Sequence, residues 1–169
     1  MLIIAETPRL LIRHWMPQDL KAYSAILGRE SEDAQYSALV PSCRAESELW
    51  RYQVELDRLG WSRWAVVAKG DHKLIGYCGF SPYGDDVEMS WRFLPEFRGC
   101  GLILEAAEAV TNYGFGTLGF ARIISFSVPD NNLAQGVMQQ LGMSLECFEG
   151  WSSCIVARYS LSSVYTHRL

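Results

Sequence analysis

Residues 87–110 carry a carboxylate, an arginine and two glycines in the order strand, loop, helix: VEMSWRFL, PEFRGCG, LILEAAEAV. Gly99 and Gly101 let the loop turn its N–H groups outward without interference from a Cβ. The loop runs straight into a helix N-terminus. Outward N–H donors and the positive end of a helix together make an anion site that suits a pyrophosphate. Arg98 adds a cation that can bind bidentately. The same glycines also suit a tight strand-to-helix turn with no ligand, and an R-x-x-G pattern alone does not separate the two readings. Upstream, alternation puts Glu88, Ser90 and Arg92 on one face of the strand and Val87, Met89 and Trp91 on the other. A carboxylate at 88 can accept a proton directly or through water, or it can pair with Arg92.

The elements that must position these residues can be read from the pattern. RLLIRHW (9–15) alternates as a strand. Pro17 opens a helix to about Leu27, and residues 29–45 read as polar and irregular. A second helix runs from about Glu46 to Leu59, with Leu49, Tyr52, Leu56 and Leu59 on one stripe and Gly60 as its stop. SRWAVVAK and KLIGYCGF are strands joined through Gly70-Asp71-His72. After the strand from Val87 to Leu94, a largely apolar helix spans Gly101 to about Thr117. ARIISFSV is a buried strand, Asn131 to Leu141 a helix closed by Gly142, and Ser144–Phe148 and Cys154–Leu161 two more strands. The order βαα–βββ–α–β–α–ββ predicts one α/β domain with a mixed, mostly antiparallel central sheet flanked by helices.

The ordered set RGCGLILEA, ARIISFSV and DNNLAQGVMQQLGM resembles the acetyl-CoA-binding core of the GNAT superfamily of N-acetyltransferases. ETPRLLIRHWMPQDL and KLIGYCGF are similar to the opening and third strand of its RimJ/RimL-like branch, which acetylates ribosomal-protein N-termini and related amines. The resemblance spans residues 7–165 and implies a GNAT-like domain of that extent. It implies acetyl-CoA as acetyl donor, with no metal. The pyrophosphate would be held at Arg98, Gly99, Cys100, Gly101, Leu102 and Ile103. The pantetheine arm would lie along the splayed strand edge at Phe93 and Leu94 and against Asn131, where Asn also suits a helix cap. Two positions depart from the branch pattern. Ile103 stands where a small residue is usual, and Ala134 replaces a Ser proposed to protonate the departing thiolate.

What the resemblance implies is direct acetyl transfer to a primary amine, on a protein N-terminus or a small molecule. For the base such transfer needs, alternation points to Glu88, with a solvated or salt-bridged strand residue as the equal competing reading. Tyr159 and Tyr165 lie in the C-terminal strand region, where some relatives supply an acid, and core packing is the competing reading for each. The acceptor pocket is expected from residues 17–60 and their neighbours, with Trp50, Trp61, Trp64 and Tyr36 as aromatic walls. Glu30, Glu32 and Asp33 could attract a cationic amine or form a solvated loop. A non-catalytic acyl-CoA-binding module of the same fold is the alternative, kept open by Ile103 and Ala134.

Composition narrows the classes. The chain has 169 residues, a formal charge of −4, 49% hydrophobic and 20% charged residues. That is a single globular domain, not a disordered chain. It lacks the basic field of a nucleic-acid binder. Five cysteines at irregular spacing suggest neither a disulfide framework nor a zinc site. No apolar stretch reaches membrane-span length. A cytoplasmic protein is the simplest expectation, and a symmetric homodimer is the default should it form an oligomer.

Overall fold

The computed structural model describes residues 1–33 and 41–163; Tyr36, Tyr165 and His167 lie outside them, as do the side chains of Glu30, Glu32 and Asp33. Eight strands form one sheet in the order β1-β2-β3-β4-β5-β6-β8-β7. The strands are β1 (Ile3–Glu6), β2 (Leu10–Arg13), β3 (Arg63–Ala68), β4 (Lys73–Tyr83), β5 (Asp86–Phe93), β6 (Arg122–Ser127), β7 (Ser144–Trp151) and β8 (Cys154–Ser162). All neighbours are antiparallel except β5 and β6, which are parallel. The helices are α1 (Asp19–Asp33), α2 (Pro41–Leu59), α3 (Leu102–Gly116) and α4 (Asn132–Gln140).

Strand alternation divides the core in two. Trp64, Val66, Cys78, Phe80, Met89 and Phe93 point to one face and are covered by α3 and α4 through Ile103, Ala107, Val110 and Met138. Ala65, Val67, Tyr77 and the adjoining Leu94 point to the other face, under Tyr23, Ile26 and Leu27 of α1 and Ala45 and Tyr52 of α2. The result is a three-layer domain with helices on both faces. Among the described residues, no helix is long and apolar enough to cross a membrane.

Several expectations change. Residues 3–6 form a strand paired to β2, although four residues with one charge gave no periodic signal. Helix α1 runs to Asp33 and α2 begins at Pro41, so the described ends of the segment expected to be irregular, 29–33 and 41–45, are helical. Arg13 is 5% exposed on β2 because Asp19 receives it bidentately, Nη1 at 2.7 Å and Nη2 at 2.9 Å. His72 occupies the β3–β4 turn at φ 55°, as its place there suggests.

Candidate active site

The sheet opens where β5 meets β6. Their parallel pairing is confined to Glu88 and Ile124. Just beyond it, the Ser125 hydroxyl donates to the Met89 carbonyl at 2.7 Å. Past that point the strands splay. The Leu94 N–H donates to the Ile75 carbonyl at 2.8 Å, so Leu94 turns its main chain toward β4. By alternation, the main-chain groups of Trp91 and Phe93 face the splay. Of the expected pair Phe93 and Leu94, Phe93 therefore borders the opening and Leu94 turns away, 5% exposed and packed in the core under α1 and α2.

A cleft of about 350 Å³ fills the splay. Tyr77, Trp91, Arg92, Phe93 and Arg98 line one side, and Ile103, Asn131, Leu133 and Ala134 the other. Ile103 and Leu133 also border an adjoining groove of about 240 Å³ that passes Gly99 and Gly101 along α4. The two clefts share Ile103 and Leu133 as walls, and the second reaches the start of α3.

That helix start leaves main-chain donors open. Gly99 and Gly101 sit at φ +75° and +81°, which L side chains rarely adopt. Gly101 is the N-cap and offers no side-chain cap. The helical bonding begins with the Glu105 N–H on the Gly101 carbonyl. The N–H groups of Leu102, Ile103 and Leu104 therefore have no acceptor within the helix. Ile103, the departure from the family pattern, is 6% exposed and sits mostly in the core. Its main-chain N–H needs no particular side chain to serve an anion. Cys100 is exposed and donates its thiol to the Phe97 carbonyl at 3.3 Å.

Arg98 is committed in part to the fold, because its Nε donates to the Phe93 carbonyl at 2.8 Å. Asn131 caps α4, its Oδ1 accepting the Ala134 N–H at 3.0 Å. The cap occupies the oxygen, so the amide NH₂ is the end that can donate into the cleft.

Glu88 lies on the face covered by α2, one pairing position from the splay. Its ion partner is Arg63 on β3 at 3.5 Å, not Arg92 as the strand spacing suggested. Arg92 instead reaches Glu48 of α2, also at 3.5 Å. Burial holds the Glu88 carboxyl above its usual pKa, against the pull of Arg63 and Arg51. Beside it, Ser90 Oγ and Arg63 Nε are buried and have no hydrogen-bond partner among the described residues. Buried polar atoms of this kind call for water or a polar ligand. Glu48 behaves oppositely. Burial raises its pKa, but the bond from Tyr23, the charge of Arg92 and the bond from Arg44 together keep it low.

Several expected site residues lie outside this cleft. Trp64 is 1% exposed in the core under α3, and Trp61 packs edge-on against Phe80 and Phe120. Trp50 is 71% exposed over an outer groove with Trp15 and Met16. Tyr159 is a core residue at 5% exposure. Their aromatic types did not distinguish core from cleft. Tyr77, Trp91 and Leu133 went unnoticed as cleft residues, since only the splay identifies them. Among the described residues, no group of three His, Cys, Asp or Glu could hold a metal ion.

Comparison with known proteins agrees with this geometry. The acetyltransferase (GNAT) domain family matches residues 9–144. An uncharacterized N-acetyltransferase of Bacillus subtilis (strain 168), YnaD, is 27% identical over 151 residues, covering 88% of this chain and 86% of that protein. A putative GNAT-family acetyltransferase from Bordetella pertussis superposes with a TM-score of 0.83 at 16% identity, over 94% of this chain and 98% of its own. RimL, a ribosomal L7/L12 α-N-protein acetyltransferase solved with coenzyme A, gives 0.81 at 14% identity, over 95% and 97%. At such identities the two structures establish the shared fold.

Proposed function

The chain belongs to the GNAT acetyltransferase family, and on that premise we propose that it transfers acetyl from acetyl-CoA directly to a primary amine, on a protein N-terminus or a small molecule. Members of this family are acetyltransferases that use acetyl-CoA. The observation that carries the reading is the uncapped start of α3 with its two positive-φ glycines, beside a groove that shares Ile103 and Leu133 with the cleft at the splay of β5 from β6.

In this reading Arg98, Gly99, Cys100 and Gly101, with the N–H groups of Leu102 and Ile103, hold the pyrophosphate. The Asn131 amide and the main-chain groups of Phe93 and Trp91 hold the pantetheine arm. Leu94 contributes by fixing the strand against β4. The arm runs along β5 from the loop toward the apex, so its reactive end comes to Trp91, three residues from Glu88 and roughly 10 Å along the strand. The Trp91 N–H is then the splayed donor nearest the base and polarises the thioester carbonyl.

The amine nitrogen bonds to the acetyl carbon, the C–S bond breaks, and the amine proton goes to Glu88 through water at Ser90. A raised pKa suits a carboxylate that must take a proton from an ammonium. Ala134 and Tyr159 supply no acid, and a thiolate needs none to depart at neutral pH. Titration of the protein with coenzyme A, followed by calorimetry, tests the reading. Saturable binding lost in Gly101→Val supports it, and no binding of any CoA ester sinks it.

A further inference from the structure

A loop that turns its N–H groups toward an anion must turn its carbonyls elsewhere, where other donors can fix them. Here the carbonyl in question is that of Cys100, between the two positive-φ glycines. Its donor comes from the far end of the chain. Arg9 Nη1 reaches the Cys100 oxygen at 3.0 Å. The same guanidinium donates through Nε to Glu105 Oε2 at 2.6 Å. The Arg9 N–H and the Thr7 hydroxyl both donate to Glu105 Oε1, at 2.9 and 2.6 Å.

We propose that Arg9 is a positioning residue of the phosphate loop: it holds the Cys100 carbonyl away from the groove and neutralises Glu105, so that the start of α3 meets the CoA pyrophosphate as a positive surface. The inference rests on the acetyl-CoA reading above. Glu105 stands in the first turn of α3. A carboxylate there is favourable to the bare helix and unfavourable to a bound pyrophosphate. Burial alone would raise its pKa, but the bonds from Thr7 and Arg9 outweigh that and keep it ionised. Arg9 cancels the charge it helps to keep.

The clamp is anchored. The Lys69 N–H donates to the Arg9 carbonyl at 2.9 Å, and the Thr7 N–H to the Leu10 carbonyl at 2.9 Å. Gly101 faces the guanidinium, and a Cβ there would lie 3.4 Å from Arg9 Nη2. The edge hairpin β1–β2 thus reaches across 91 residues of sequence to set the loop.

The test compares coenzyme A with pantetheine, which has the arm and lacks the pyrophosphate, on the wild type, Arg9→Ala and Arg9→Lys. Calorimetry measures coenzyme A, and chemical-shift titration measures the weaker pantetheine. Arg9→Ala is expected to raise the Kd for coenzyme A roughly 10-fold. It should leave that for pantetheine within about twofold. Arg9→Lys, which keeps the charge and loses the fork, should fall between wild type and Ala for coenzyme A. It carries the comparison if Arg9→Ala does not fold. Equal losses for the two ligands, or no loss for coenzyme A, would overturn the role of Arg9 and leave the acetyl-CoA reading standing. A wild type that binds no coenzyme A would overturn both.

Discussion

Arg98 donates its Nε–H to the carbonyl oxygen of Phe93 at 2.8 Å, tying the loop before α3 to the strand that splays from β6. The loop and the strand edge are therefore one mechanical unit. Arg98→Ala is expected to weaken coenzyme A binding roughly 10-fold. Pantetheine binding should weaken as well, because the Phe93 edge loses its tie. Parallel titrations with the two ligands check this, and a loss confined to coenzyme A would limit Arg98 to the pyrophosphate.

Glu88→Gln is expected to lower kcat roughly 10²- to 10⁴-fold while acetyl-CoA still binds. Steady-state rates with a measured Kd for the donor decide it. An unchanged rate would remove Glu88 from the mechanism.

The pH profile follows from the same residue. Burial raises the Glu88 pKa, and a base must be deprotonated to act. Activity should therefore fall on the acid side with an apparent pKa above the ordinary carboxylate value of 4.5. That limb should be absent from the residual activity of Glu88→Gln. A wild-type profile with no acid limb above that value speaks against Glu88 as base.

The glycine turn and the start of α3 were legible in the sequence because glycine spacing and a helix start are local signals. Glu88 was placed on the right face because a strand alternates strictly. Its partner was not, since Arg63 arrives from β3 through sheet pairing, which sequence spacing does not show. For the same reason Arg9 and Glu105 gave no joint signal: they are 96 residues apart and meet only when β1–β2 packs beside α3. Strand β1 was missed because four residues are too few for a period to appear. The tryptophans misled because residue type alone does not reveal which side of the sheet a ring occupies. Trp64 and Trp61 pack with the core under α3, on the face opposite α1 and α2.

Asn131 allows its two roles to be separated. Asn131→Asp keeps the acceptor that caps α4 and replaces the NH₂ donor with a charge. Thermal stability is expected to stay close to wild type, while coenzyme A affinity falls roughly 10-fold. Asn131→Ala should lose both, with about 1 kcal/mol of stability. Thermal melts alongside ligand titrations read the two effects, and unchanged affinity in Asn131→Asp would leave Asn131 as a cap alone.

Arg13 and Asp19 form a pair with both side chains 6% exposed. Removing one partner strands a buried charge. Arg13→Ala is expected to cost about 3–5 kcal/mol, read from urea midpoints at constant slope. A loss of under about 1 kcal/mol would show that water reaches Asp19.

The most direct test of transfer is a thiol-release assay with acetyl-CoA and a panel of primary amines, including peptide N-termini. Thiol release that depends on the amine, rises with both substrates in a sequential pattern and collapses in Glu88→Gln is the predicted result. Tight coenzyme A binding with no amine-dependent thiol release would contradict it and leave a fold that holds the donor without using it.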